Sequence, residues 1–498
     1  MFKLSISALI LFCLVGQNLY AQMYVDKQFD VETEYDIEYG VSTDFAGNER
    51  TLKVNLIQPI GDSVPECGRP LLLLIHGGAF LAGSKDDAGI QRLGEDFAKR
   101  GYAVATLNYR LGQFQTNQTI HCNASNLGLQ WDCLNMTDSS EWYRAWYRGV
   151  QDAKGAIRYL LSQAQYNLDN SNVFTIGESA GGFVALGLGY LDEANEVLPG
   201  LTSAMPDVLP PNPIYESPCI QHPDFMLDTS IASMDLSRPD LGGIDGELNP
   251  AQPGNYLIRA VGNLYGAVFN DIFGSSQPLI PGLFTYHQPA DLIVPIGHQR
   301  LFAGYNYCAT QFPFNCANII NRPYAYGSNG MVDLIENRKS NGLPAPEYEK
   351  YISTNNANCA QQVLDPNLTG HAIHNYEDVT HRMAVFFANK YDLCAIVSDN
   401  TIASKNKALK ISPNPVSLSE NVKIHLPFKK GDQVEVYDLN GKMIHSASIS
   451  QASNSTLLAA AIFKNKGMYL LRVQHDGENI FVRIVVTTKK SRPERPSR

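Results

Sequence analysis

The sequence predicts an α/β protein: a doubly wound, mostly parallel sheet with an inserted cap, followed by a small C-terminal all-β sandwich. Three observations carry this reading. From residue 22 to residue 395, short apolar runs alternate with stretches of helical spacing, which places helices on both faces of a mostly parallel sheet. Between about 190 and 280 the alternation gives way to Pro- and Gly-rich sequence, such as Leu209-Pro210-Pro211 and Leu241-Gly242-Gly243, read as a cap inserted over the sheet. From 409 to 488 only strand-like runs remain. The length of 498 residues is itself more than one core usually supports.

The elements follow in order. Residues 1–21 read as an export signal: Lys3, then an apolar run from Ile6 to Val15 too short to span a bilayer, then Leu19-Tyr20-Ala21 as a cleavage point. Thr51 to Ile57 alternates as a half-buried strand. Leu71 to Ile75 and Ala103 to Leu107 are continuous apolar runs, as in strands buried on both faces. Trp142 to Ala164 has helical spacing, with Ala145, Val150, Ala153, Ile157 and Leu160 on one side. Asn172 to Ile176 is a short strand, and strand–helix alternation resumes near Leu283. A last helix, Tyr376 to Tyr391, groups Val379, Met383, Phe386 and Phe387. Residues 396–408 are a polar linker. In the β module, strands are expected at Val422–Leu426, Gln433–Tyr437, Met468–Val473 and Ile480–Val486, with Asn440-Gly441 as a hairpin turn. Residues 489–498 are charged and Pro-containing, and are expected to be disordered.

Composition excludes some functions. A net charge of -10 offers no basic surplus for nucleic acid or an anionic membrane, and no segment after the signal has the length and apolarity of a membrane span. Of nine cysteines, removing Cys13 with the signal leaves eight: Cys67, Cys122, Cys133, Cys219, Cys308, Cys316, Cys359 and Cys394. An even number in an exported chain points to disulfides, with Cys122/Cys133 and Cys308/Cys316 as the natural local bridges. No CxxC pair suggests zinc, and no metal or organic cofactor is expected.

The chemistry concentrates in four places. Val173-Phe174-Thr175-Ile176-Gly177-Glu178-Ser179-Ala180-Gly181-Gly182 is a strand, a GxSxG turn and a helix start. Such a turn lifts the Ser179 hydroxyl above the sheet edge as a nucleophile, with a helix N-terminus favouring negative charge beside it. About a hundred residues upstream, Leu74-Ile75-His76-Gly77-Gly78-Ala79-Phe80 offers the backbone N–H groups of Gly77 and Gly78. With that of Ala180 they are expected to form an oxyanion hole. His76 precedes the nucleophile and reads as structural. Leu283-Phe284-Thr285-Tyr286-His287-Gln288-Pro289-Ala290-Asp291 puts Asp291 in a loop after an apolar strand, as the acid; Asp245 and Glu247 are weaker candidates. The base must follow the acid. His298 lies too close to it, in a helix-like stretch, and His381 lies inside the last helix. His371 and His374 lie in the loop before that helix, with His371, after Gly370, preferred.

On these motifs, with Asn108-Tyr109-Arg110-Leu111 and Asp152-Ala153, residues 50–395 resemble the carboxylesterase and lipase branch of the α/β-hydrolase superfamily. The resemblance implies a secreted serine carboxylic ester hydrolase acting through Ser179, His371 and Asp291 and an acyl-enzyme. The large carboxylesterases with this GESAGG elbow usually use Glu as the acid, so the match is composite. Substrates left open are acetylated or feruloylated polysaccharide, short-chain acylglycerols and other small esters. The alternatives are a serine peptidase on the same fold and a catalytically inactive surface binding protein. The tail segments Ile411-Ser412-Pro413-Asn414-Pro415, Val434 to Gly441 and Gly467 to Val473 resemble the C-terminal sorting domain of the type IX secretion system. That resemblance implies export through the periplasm to the cell surface or medium, with the secretion machinery as partner.

Overall fold

The computed structural model describes residues 24–62, 64–65, 67–114, 139–207, 235–249, 256–275, 279–304, 322–354, 361, 370–392, 410–412, 416–417, 420–437, 443–464, 467–475 and 478–487. The chain divides into a unit of residues 21–396 and a second unit that holds residues 397–498. The expected signal, linker and tail lie outside the described residues. So do all the cysteines but Cys67, including both local pairs.

The first unit is built on an eight-stranded sheet of order β1-β2-β4-β3-β5-β6-β7-β10. Its strands are β1 (Asp30–Thr43), β2 (Glu49–Ile60), β3 (Arg69–Ile75), β4 (Ala103–Leu107), β5 (Leu168–Glu178), β6 (Ile258–Leu264), β7 (Gly282–His287) and β10 (Tyr348–Ile352). β1 and β2 pair antiparallel, as do β2 and β4, and the remaining neighbours are parallel. The continuous apolar run of β3 serves two cores at once. Leu71, Leu73 and Ile75 enter one cluster, and Leu72 and Leu74 the other. Successive strand side chains point to opposite faces, so a strand covered on both sides must be apolar throughout. Helices α2 (Ser139–Ser162) and α3 (Ala180–Tyr190) bring Trp146, Val150 and Val184 to the first face. Helices α1 (Ala88–Ala98) and α5 (Tyr376–Ala388) bring Leu93, Phe97, Val379, Met383 and Phe387 to the second. Each such side chain, fully buried, contributes about 1.5–3 kcal/mol. Helix α4 (Ser328–Ser340) precedes the edge strand β10. This is the α/β-hydrolase architecture.

Two expectations need correction. The stretch 190–280 is not cap throughout, since β6 lies inside it, between β5 and β7 in the middle of the sheet. Its sequence, IRAVGNL, mixes Arg259, Gly262 and Asn263 among apolar residues, which breaks the continuous run a central strand usually shows. His298 belongs to a short strand, β8 (His298–Arg300), paired with β9 (Tyr324–Tyr326), and not to a helix. β1, an edge strand with exposed and buried residues irregularly mixed, carried no clean period.

The second unit holds a three-stranded sheet, β11-β13-β16, and a five-stranded sheet, β12-β18-β17-β14-β15. The ranges are β11 (Lys410–Ser412), β12 (Val416–Ser417), β13 (Val422–Phe428), β14 (Gln433–Tyr437), β15 (Met443–Ser448), β16 (Ser453–Leu458), β17 (Gly467–His475) and β18 (Glu478–Thr487). Val422, Ile424, Leu426, Val434, Val436, Leu471, Val473 and Ile484 form its core, so the alternation in each strand sends one face inward. β14 and β15 pair antiparallel, as expected of strands joined by a hairpin. The Asn440-Gly441 turn itself lies outside the described residues.

Candidate active site

Ser179 stands between β5 and α3 with φ +54° and ψ −123°, a conformation that a side-chain-bearing residue adopts only under strain. Two backbone bonds hold it there: the Ser179 N–H donates to Leu264 O at 2.9 Å, and the Gly182 N–H donates to Ser179 O at 2.9 Å. The turn tolerates only glycine at position 181, where a Cβ would lie 2.1 Å from Ile75 O. β3 ends directly against this elbow. A Cβ built on Gly77 would stand 3.0 Å from the Ser179 Cβ, so the loop after β3 borders the nucleophile.

Ser179, His371 and Asp291 lie together although 80 and 192 residues separate His371 from its two partners. His371 Nε2 is 2.7 Å from Ser179 Oγ, and His371 Nδ1 is 2.7 Å from Asp291 Oδ2. Asp291 follows β7. Its Oδ1 accepts the N–H groups of Ile293 at 2.8 Å and Val294 at 3.0 Å. Burial alone would raise this carboxyl; the charge of His371 and the hydrogen bonds of His287 and His371 outweigh it and hold the group below the usual carboxylate range. The Tyr265 ring meets His371 edge-on at 4.7 Å. The Tyr265 hydroxyl donates to Glu178 Oε2 at 2.9 Å. Burial pushes the Glu178 carboxyl up, an effect that Tyr265 only partly offsets.

The other histidines weighed from the sequence stand apart. His374 turns to Ser353 Oγ at 3.4 Å, and its N–H donates to the Tyr286 hydroxyl at 2.8 Å. His381 is exposed on α5. His298 stacks flat on Tyr326 with ring centroids 3.8 Å apart. His76 is buried, stacked on Tyr109, with Nδ1 2.8 Å from Gly77 O. Asp245 pairs with Lys154 at 3.2 Å beside α2, and Glu247 is exposed.

Among the expected oxyanion donors, Ala180 opens α3, so its N–H has no acceptor within the helix. Gly78 begins a run of left-handed backbone through Ala79 and Phe80, with φ of 102°, 53° and 63°. Gly77 lies beside the nucleophile, where a Cβ on it would stand 3.0 Å from the Ser179 Cβ. Three neighbours of the site went unread in the sequence. Tyr265 falls in the stretch read as cap. Glu178 was part of a motif without a role. His287, four residues before Asp291, was a legible signal: an imidazole at the end of an apolar strand beside a candidate acid. Among the described residues no group of His, Cys, Asp and Glu could hold a metal ion.

Residues 62–124 and 137–209 match the BD-FAE family, an α/β-hydrolase esterase domain, and residues 410–487 match the secretion system C-terminal sorting domain. The second match marks the chain for export. Over 142 residues the chain is 32% identical to the bile salt-activated lipase of Bos taurus, a match covering 27% of this chain and 20% of that protein. The chain thus spans about a fifth of that relative's length. Among solved structures, it resembles the bifunctional GH43-CE of Bacteroides eggerthii at 17% identity, with a TM-score of 0.36 over 72% of this chain and 35% of that one. It also resembles a truncated form of a carbohydrate esterase from gut microbiota at 15% identity, with a TM-score of 0.36 over 73% of this chain and 98% of that one.

Proposed function

We propose that this chain, with its esterase-type α/β-hydrolase domain and its secretion sorting domain, is an exported serine hydrolase of carboxylic esters. The observation that carries the reading is the hydrogen-bonded line from Ser179 Oγ through the His371 ring to Asp291, 2.7 Å at each step. In this reading His371 Nε2 takes the Ser179 proton as Oγ attacks the ester carbonyl. Asp291 holds the Nδ1–H tautomer and stabilises the imidazolium. The N–H groups of Gly77, Gly78 and Ala180 face the developing oxyanion. His371 then gives the proton to the departing alcohol. Water, deprotonated by the same nitrogen, releases the acid from Ser179. Esters of small alcohols and of sugars, including acylated polysaccharides, are the substrate class.

The test is turnover of a short-chain p-nitrophenyl ester by the full chain and by Ser179→Ala. The variant is expected to lose on the order of 10⁴- to 10⁶-fold in kcat, since the hydroxyl is the only covalent partner. Turnover near the wild-type rate in a folded Ser179→Ala protein refutes the mechanism.

A further inference from the structure

Asp291 has two imidazoles on one oxygen. His371 Nδ1 lies 2.7 Å from Oδ2, and His287 Nε2 lies 3.2 Å from the same atom. His287 is fully buried, at the C-terminal end of β7. The steps proposed above do not use it, and a buried histidine needs a physical reason to be there.

Its surroundings assign its proton. The other neighbour of Nε2 is Val294 O at 3.0 Å. A carbonyl and a carboxylate oxygen both only accept, so Nε2 carries the hydrogen and shares it between them. On the far side, Nδ1 lies 3.0 Å from Ser328 Oγ, and Ser328 Oγ lies 2.7 Å from Thr285 Oγ1. Thr285 Oγ1 also accepts from Asn263 Nδ2 at 3.0 Å. The order that places every proton runs Asn263 to Thr285, Thr285 to Ser328, Ser328 to His287 Nδ1, and His287 Nε2 to Asp291. The opposite order would protonate both ring nitrogens and place a fully buried imidazolium against Asp291, with both charges stripped of water. In the first order Nδ1 accepts from Ser328, which sets the tautomer in which Nε2 is the donor.

We infer that His287 is a positioning residue of the active site, whose Nε2–H fixes the Asp291 carboxylate against His371, with Ser328, Thr285 and Asn263 holding the ring in the donating tautomer. This rests on the reading of Ser179, His371 and Asp291 as the hydrolytic machinery. The backbone N–H groups of Ile293 and Val294 hold Oδ1 only. Without His287, Oδ2 keeps the His371 bond but loses its second donor. The carboxylate can then tilt about the anchored oxygen. A hydrogen bond to a charged group is worth enough to change a rate about ten- to a hundredfold. Because the fault lies in the orientation of His371, it falls on kcat and leaves KM nearly unchanged.

The experiment measures kcat and KM of full-length His287→Phe, His287→Gln and Ser328→Ala on a p-nitrophenyl ester. Folding is followed by thermal melting, and Ser179 by its reaction with a fluorophosphonate probe. His287→Phe keeps a planar, buried ring without a donor and is expected to lose about ten- to a hundredfold in kcat. His287→Gln places an amide N–H near the Nε2 position and is expected to recover to within about threefold of wild type. Ser328→Ala releases the tautomer and is expected to lose severalfold. Wild-type kcat in His287→Phe, or equal impairment in the Phe and Gln variants, overturns the proposal; the second outcome would make the residue mere packing. Should His287→Phe not fold, wild-type kcat in Ser328→Ala overturns it. Failure of the underlying reading looks different: the wild-type protein itself neither turns over the ester nor takes the probe at Ser179.

Discussion

At the scale of single residues, the choice between His371 and His374 is where the three-dimensional arrangement says most. Both sit three residues apart in one loop, and sequence position alone favours neither strongly. In the fold, one ring points at Ser179 Oγ, and the other turns to Ser353 on the far side of the loop. His371→Ala is expected to match the loss of Ser179→Ala, on the order of 10⁴-fold or more in kcat, because the two groups act as a unit. His374→Ala is expected to stay within about threefold of wild type, since among the described residues its side chain meets a serine hydroxyl at the edge of hydrogen-bond range and not Ser179 or Asp291. Steady-state kinetics of the two variants decides; the reverse order of losses would make His374 the base. Ser179 was legible as a candidate because it sits directly after a strand whose apolar run is unmistakable, and Asp291 because it lies in the loop four residues past another. Their neighbour Tyr265 was not, because the strand it follows, β6, was unreadable.

At the scale of elements, the apolar runs of β3, β4 and β5 and the long period of α2 announced the sheet and its covering. Interior strands buried on both faces and a helix buried along most of its length leave strong marks. Edge and mixed strands such as β1 and β6 leave weak ones. Polar motifs were legible as motifs but not as joints. Asn108-Tyr109-Arg110-Leu111 proves to be a clasp between the end of β4 and its surroundings. Asn108 Oδ1 accepts the Lys85 N–H at 2.7 Å, and the Tyr109 hydroxyl donates to His76 O at 3.2 Å. Arg110 binds Asp152 of α2 through its N–H at 2.8 Å, its Nε at 2.9 Å and its Nη2 at 2.7 Å. Asp152 is fully buried. Removing one member of such a pair leaves an uncompensated charge in the interior. Asp152→Ala is therefore expected to destabilise the hydrolase unit by about 3–5 kcal/mol. The triad does not include Asp152, so turnover per folded molecule should hold. Chemical denaturation of the two proteins, with activity measured well below the variant's transition, checks both halves of the expectation. An unchanged midpoint would mean that the guanidinium finds another partner.

At the scale of the molecule, the division at residues 396 and 397 separates chemistry from address. Ser179, His371, Asp291, Gly78 and Ala180 all belong to residues 21–396, as do His287 and the chain of hydroxyls behind it. Two histidines of the second unit answer to local partners: His475 Nδ1 meets Asp432 Oδ2 at 2.6 Å in its interior, and His425 Nε2 meets Ser412 Oγ at 3.1 Å across two strands. The first unit also closes its own cores, with Phe386, Phe387 and Tyr391 ending the second cluster just before the boundary. A protein ending near residue 400 is therefore expected to fold and to turn over esters with the kcat of the full chain. It is also expected to remain inside the producing cell, because the segment matching the sorting domain, residues 410–487, is gone. Two measurements on the truncated protein decide: p-nitrophenyl ester kinetics after purification, and fractionation of the producing cells. A soluble, folded truncation without turnover would mean that the second unit completes the active site. A truncation that still reaches the medium would strip the second unit of its transport role and make a substrate-binding module the better account of its buried β core.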